Sequence, residues 1–83
     1  MPTPDQIRAA RALLNLTQGQ VSKLAGLSTM TIKRAEGAGQ PPASSAAIAA
    51  IVAALEAAGV VFTDADGNGP GVALQKEGQY DSK

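Results

Sequence analysis

The chain has 83 residues, enough for one small domain, and it contains neither cysteine nor histidine. Their absence excludes a disulfide framework, a thiolate metal site and a histidine general base, so we expect no enzymatic activity, cofactor or metal. The net charge is zero and no window approaches 18 apolar residues, which excludes a strongly basic protein and a membrane-spanning helix.

Charge is distributed unequally between the two halves of the chain. Residues 1–40 contain five basic and two acidic residues, whereas residues 41–83 contain two basic and five acidic residues. Such asymmetry is typical of proteins whose basic half contacts nucleic acid. A difference of this size also arises by chance, so the charge pattern alone does not assign a function.

The first 40 residues predict three short capped helices, 4–15, 18–25 and 29–36. Two capping boxes, TPDQ and TQGQ, place a threonine at the cap and a glutamine three residues later. Gly26 is suited to end the second helix in the left-handed conformation, and Ser28 caps the third. Apolar residues that follow the caps at helical spacing are Ile7, Ala10, Leu14, Val21, Leu24, Ala25, Ile32 and Ala35.

The second half predicts one helix and a hairpin. After the loop GAGQPP, the run SSAAIAAIVAALEAAG predicts a helix over 44–58, capped by Ser44 or Ser45 and ended by Gly59. Alternation of residue types in VVFT and GVALQ predicts strands over 60–63 and 71–75. The residues expected to share the inward face of this hairpin are Val60, Phe62, Val72 and Leu74, with the fourth helix as their nearest cover.

The predicted fold class is therefore mainly α, with four helices followed by a short C-terminal β-hairpin. Residues 1–75 form the single predicted domain, and residues 76–83 are predicted to be a flexible tail.

The second and third helices resemble a known DNA-binding family. The run LTQGQVSKLAGLSTMTIKRAEGAG, Leu16 to Gly39, is similar to the helix-turn-helix of the XRE, or lambda-repressor-like, family. In a helix-turn-helix the second member lies in the major groove of DNA. The match covers about half of the chain when the first helix is counted. The matching positions are Thr17, Gln18, Val21, Ala25, Gly26, Leu27, Ser28, Ile32, Glu36 and Gly37.

The resemblance implies particular roles for eight residues. It implies base contacts from the third helix by Thr29, Met30, Lys33 and Arg34. It implies phosphate contacts by Gln18 and Thr31. It also implies a partly buried structural ion pair between Arg11 and Glu36. The best-known members continue into a fifth helix, whereas this chain turns to strands, an ending that some small members share.

Simpler interpretations of these residues stay open. Lys33 and Arg34 are also compatible with a solvated helix face. Met30 is compatible with a core position, although its spacing of two residues from Ile32 favours exposure.

The hairpin predicts an association between two copies. A two-stranded hairpin is only marginally stable alone and leaves open edges. We therefore expect a homodimer formed through the C-terminal helix and hairpin, although a hairpin that caps its own core in a monomer is the alternative.

The run DADGNG, residues 64–69, matches the first half of an EF-hand calcium loop. Such a loop needs a bidentate glutamate at its twelfth position, which is Gln75 here, and a helix on either side. Because the flanking runs are strand-like, we interpret DADGNG as a hairpin turn rather than a calcium site.

These features together predict a sequence-specific DNA-binding transcriptional regulator that binds double-stranded DNA as a homodimer, without a small-molecule effector. The segment MPTPDQIR lacks the basic start and apolar core of a signal peptide, so we expect a cytoplasmic protein. The alternative is an antitoxin-like protein-interaction module built on the same scaffold.

Overall fold

A computed structural model describes residues 2–63 and 70–75 of the chain. Within these ranges the chain forms four helices followed by two antiparallel strands, so the fold is mainly helical with a short hairpin. The elements are α1 Pro4–Leu13, α2 Gln18–Ala25, α3 Thr29–Ala35, α4 Ser45–Ala58, β1 Val60–Thr63 and β2 Gly71–Leu74. The predicted tail 76–83 and the run 64–69 lie outside the described residues.

Both predicted capping boxes are present. The Thr3 hydroxyl accepts the Gln6 N–H at 3.2 Å, and the Gln6 side-chain oxygen accepts the Thr3 N–H at 2.8 Å. Thr17 and Gln20 repeat this arrangement at the start of α2, with distances of 3.0 and 2.8 Å. Each box satisfies two backbone donors that a helix start would otherwise leave unpaired.

The helix ends follow from local backbone chemistry. Helix α1 ends at Leu13, earlier than predicted, because Asn15 adopts a φ of 60° and the chain reverses there. Gly26 ends α2 with a φ of 71°, as predicted. Helix α3 ends one residue early, with Glu36 as its cap, and Ser44 rather than Ser45 caps α4.

The core lies between the four helices and β1. Its fully buried apolar residues are Ile7, Ala10, Val21, Ile32, Ala35, Ile51, Leu55 and Val60. Leu24 was expected at helical spacing with Val21, but it is 56% exposed because Val21 and the half-buried Ala25 already form the inward face of α2. Within residues 2–63 and 70–75, no helix is long and apolar enough to cross a membrane.

The hairpin packs on two helices rather than on one. Its register pairs Val60 with Leu74 and Phe62 with Val72. Helix α4 packs on β1, as predicted, but α1 packs on β2. The expectation that α4 alone covers the inward face was therefore incomplete.

Gln6 joins α1 to the hairpin. Its side-chain nitrogen donates hydrogen bonds of 3.0 Å to the carbonyl oxygens of both Thr63 and Gly71, which are paired at the end of the ladder. The same side chain closes the capping box through its oxygen, so both ends of the amide are used. This amide is buried, and buried polar groups of this kind hold their partners firmly because an unmade bond is costly.

The change Gln6→Glu tests this junction. The carboxylate keeps the capping oxygen but replaces the donor to the two carbonyls with an acceptor, so we expect a loss of about 1–3 kcal/mol in the free energy of unfolding. The matched control is Gln20→Glu, which alters the equivalent residue of the exposed box and should change stability by less than about 0.5 kcal/mol. Urea denaturation measures both, and equal losses would contradict the assigned role of Gln6.

Candidate nucleic-acid interface

The turn between α2 and α3 is held by Ser22. Its hydroxyl donates to the Leu27 carbonyl at 2.6 Å, while its own carbonyl accepts the N–H groups of Gly26 and Leu27. Leu27 packs against the core, and Ser28 then caps α3 by accepting the Thr31 N–H at 3.1 Å. The start of α3 is thus fixed relative to α2 within a few residues.

Helix α3 has an inward and an outward face. Ile32 and Ala35 are buried, as predicted. Thr29, Met30 and Lys33 are exposed, and Met30 is 53% exposed, which confirms the expectation that it lies off the core. One turn of the helix therefore presents a hydroxyl, a thioether and an ammonium group to solvent.

Arg34 differs from these three residues because it is half-buried. Its Nε atom is buried and has no hydrogen-bond partner among the described residues. A Cβ atom placed on Gly39 would lie 3.9 Å from Arg34 Cγ, so the aliphatic stem runs beside the loop between α3 and α4. Only the outer part of this guanidinium is available to a ligand.

Thr31 is also half-buried, and its hydroxyl lies 2.9 Å from the Ser28 hydroxyl. It therefore forms part of the cap of α3. A phosphate contact by Thr31 stays a prediction.

The predicted ion pair between Arg11 and Glu36 is present. Arg11 donates through Nε to Glu36 Oε2 at 2.6 Å and through Nη2 to Oε1 at 3.1 Å, an arrangement with two parallel bonds. The Glu36 side chain is only 4% exposed. The hydrogen bond to Glu36 raises the pKa of Arg11 above its ordinary value.

Gln18 shares this carboxylate. Its side-chain nitrogen donates to Glu36 Oε1 at 3.1 Å, which holds the amide at the first turn of α2. Sequence reasoning assigned Gln18 a phosphate contact and did not predict this bond. One amide hydrogen remains free to contact an anion at the helix start.

Arg8 is a second residue that sequence reasoning missed. Its Nη1 donates to the Glu36 carbonyl at 3.0 Å, and its Nη2 pairs with Asp5 at the surface. The signal available in the sequence is its spacing of three residues from Arg11, which places both on one face of α1.

Some basic residues among residues 1–40 form ion pairs, and the others carry the uncompensated positive charge. Arg8 pairs with Asp5 and Arg11 pairs with Glu36. Within residues 2–63 and 70–75, Lys23, Lys33 and Arg34 form no such pair. The uncompensated positive charge therefore lies on α2 and α3.

A scan against protein-family models finds no matching family, and a search of the curated proteins finds no significant match. The resemblance of Leu16–Gly39 to the lambda-repressor-like family therefore stays a prediction. Within the part of the chain that the structure describes, no group of three or more acidic residues could hold a metal ion, and the run 64–69 lies outside that part.

The substitution Arg11→Ala tests the buried pair. It would leave the Glu36 carboxylate buried with Gln18 as its remaining side-chain donor, so we expect a loss of about 3–5 kcal/mol in the free energy of unfolding. The matched control is Arg8→Ala on the same face of α1. The Arg8 side chain is half exposed, and it bonds to Asp5 and to the main-chain carbonyl of Glu36, not to the buried carboxylate, so its loss should cost about 1 kcal/mol or less. Chemical denaturation measures the two, and a similar cost for both variants would show that the Glu36 carboxylate does not depend on Arg11.

Proposed function

We propose that the protein is a sequence-specific DNA-binding transcriptional regulator in which α2 and α3 form a helix-turn-helix. The observation that carries the proposal is that all the uncompensated basic residues of the described chain lie on these two helices, beside an exposed polar and apolar surface on α3. An exposed helix face of this kind fits the major groove, which admits one α-helix.

Affinity in this proposal comes from the phosphate backbone. Gln18 presents its free side-chain amide hydrogen at the first turn of α2, where a helix favours an anion. The backbone N–H groups of Gln18 and Gly19, which the capping box leaves without a partner among the described residues, point in the same direction along the helix axis. Lys33 and the outer nitrogens of Arg34 supply positive charge from α3. Binding should therefore weaken as salt concentration rises, because each neutralised phosphate releases condensed counterions.

Sequence preference comes from the exposed turn of α3. Thr29 offers a hydroxyl to base edges, and Met30 offers an apolar contact that suits a thymine methyl group. Lys33 offers donors that suit the acceptors of guanine. Since the Arg34 stem lies beside Gly39, Arg34 contributes more through charge than through base recognition.

The proposed active form is a homodimer. Its two-fold symmetry would present two α3 helices to half-sites whose centres are about 10 base pairs apart, or a multiple of that distance. Each copy would then contribute one recognition surface.

Joint replacement of Lys33 and Arg34 by alanine should abolish specific binding without unfolding the protein. Lys33 is exposed and Arg34 is only half-buried, so their removal costs little stability. Electrophoretic shifts of genomic fragments that the native protein binds measure the effect. The matched control is Lys23→Ala, which removes an exposed charge from the last turn of α2 and should weaken binding only mildly. Unchanged affinity in the double variant would contradict the assigned interface.

Joint replacement of Thr29 and Met30 by alanine should reduce the preference for specific DNA sequences and should remove no positive charge. We expect the ratio of specific to non-specific affinity to fall by about tenfold or more, with the salt dependence unchanged, because no phosphate contact is lost. Titrations of a bound fragment and of unrelated DNA at several salt concentrations give both quantities. A changed salt dependence with an unchanged ratio would indicate that Thr29 and Met30 contact the DNA phosphates and not the bases.

A further inference from the structure

Leu74 is not covered by the other residues of 2–63 and 70–75 in the way that its position on the hairpin requires. It lies on the same face of the hairpin as its partner Val60, which is 1% exposed, yet Leu74 is 42% exposed. Beside it is an open groove whose apolar lining includes Leu14, Ala57 and Ala58. An apolar side chain on the inward face of a sheet is normally buried, so the end of β2 lacks a neighbour on its outer side.

The backbone of β2 presents unpaired groups on that same side. The Gln75 N–H donates to the Gly59 carbonyl at 2.8 Å, which makes this a hydrogen-bonded pair. Bonded and non-bonded pairs alternate along an antiparallel ladder, so the N–H and C=O groups of Val72 and Leu74 point away from β1. None of these four groups has a hydrogen-bond partner among the described residues.

The opposite edge of the hairpin is less accessible. By the same alternation the outward groups of β1 belong to Val60 and Phe62, and Val60 is almost completely buried. The outer edge of β2 is exposed at Ala73, Leu74 and Gln75, and neither strand contains a charged residue that would repel an identical strand. The open edge of the sheet is therefore β2.

We propose that the β2 edge pairs with β2 of a second copy of this chain, antiparallel and across a two-fold axis at Ala73. Val72 of each copy then exchanges both backbone hydrogen bonds with Leu74 of the other, which satisfies all four outward groups of each strand. The result is a continuous four-stranded sheet in the order β1, β2, β2, β1. This proposal rests on the homodimer proposed above but not on DNA recognition.

Two features favour this register. Pro70 has no N–H and lies on the outward side of the ladder, so a register that placed it opposite Leu74 would lose a hydrogen bond at each end. Centring on Ala73 avoids that pairing. It also places Leu74 directly across from Val72 of the second copy on the inward face, so the exposed leucine gains an apolar neighbour.

Crosslinking tests the position of the axis, since the chain has no cysteine of its own. With Ala73→Cys, the two introduced thiols would lie on carbons about 4.5–5.5 Å apart, close to disulfide geometry. The matched control is Val61→Cys, on the same outward face of the hairpin. Its copies would be separated by three strand spacings, or about 14 Å. We expect mild oxidation to crosslink the first variant and not the second.

Sedimentation of the full chain without DNA tests the interface itself. Leu74→Lys should raise the dimer dissociation constant by about tenfold or more, since a charged group would replace the apolar contact with Val72 of the second copy. Val61→Lys changes an aliphatic residue of similar exposure, 40%, and should leave that constant unchanged. Circular dichroism checks that both variants are folded.

Three results would overturn the proposal: a native protein that is monomeric at micromolar concentration, equal crosslinking of the two cysteine variants, or equal effects of the two lysine variants. The first would show that no second copy covers Leu74. The other two would place the dimer elsewhere, with the exposed alanines of α4 as the nearest alternative surface. The crosslinking and sedimentation measurements contain no DNA, so each result can be interpreted even if the protein does not bind DNA.

Discussion

The arrangement of the helices depends on one buried carboxylate. Glu36 follows the last residue of α3, and its side chain accepts hydrogen bonds from Arg11 on α1 and Gln18 on α2. A buried charge is tolerated only where partners satisfy it, so the folded chain must bring α1, α2 and the end of α3 together at this carboxylate. The Arg8 bond to the Glu36 carbonyl adds a second link from α1 to the same residue.

Helix α1 connects this cluster with the hairpin. Near its start, Gln6 bonds to the paired ends of β1 and β2. Arg8, two residues later, and Arg11, five residues later, reach Glu36. The exposed face of α3 and the open edge of β2 are therefore attached to opposite ends of one short helix. In the proposed dimer, this connection would fix the distance between the two α3 helices, and the hairpin would then contribute to the proposed DNA recognition without contacting DNA.

Local chemistry made much of this fold predictable. Local interactions between residues a few positions apart determine the conformations of the two capping boxes, of Gly26 and of the hairpin strands. The structure has the predicted conformation in each case. The ion pair between Arg11 and Glu36 was available only through the resemblance. The run DADGNG, which first suggests calcium, lies outside the described residues, so its interpretation as a turn stays a prediction.

Contacts between distant segments were not predictable from the sequence. Gln6 lies 57 residues from Thr63, and its capping box already explained its presence, so nothing indicated a second role. Gln18 likewise had an expected role at the helix start that concealed its bond to Glu36. The exposure of Leu24 and Leu74 depends on which neighbours cover each face, and residue spacing does not specify those neighbours.

The central claim is that α3 reads DNA in a symmetric dimer, and in vitro selection of binding sites from a random duplex pool tests it most directly. The full chain should enrich one motif made of two inverted half-sites, with centres about 10 base pairs apart or a multiple of that distance. A pool that shows no enrichment after repeated rounds, although the protein is folded and dimeric, would contradict the account.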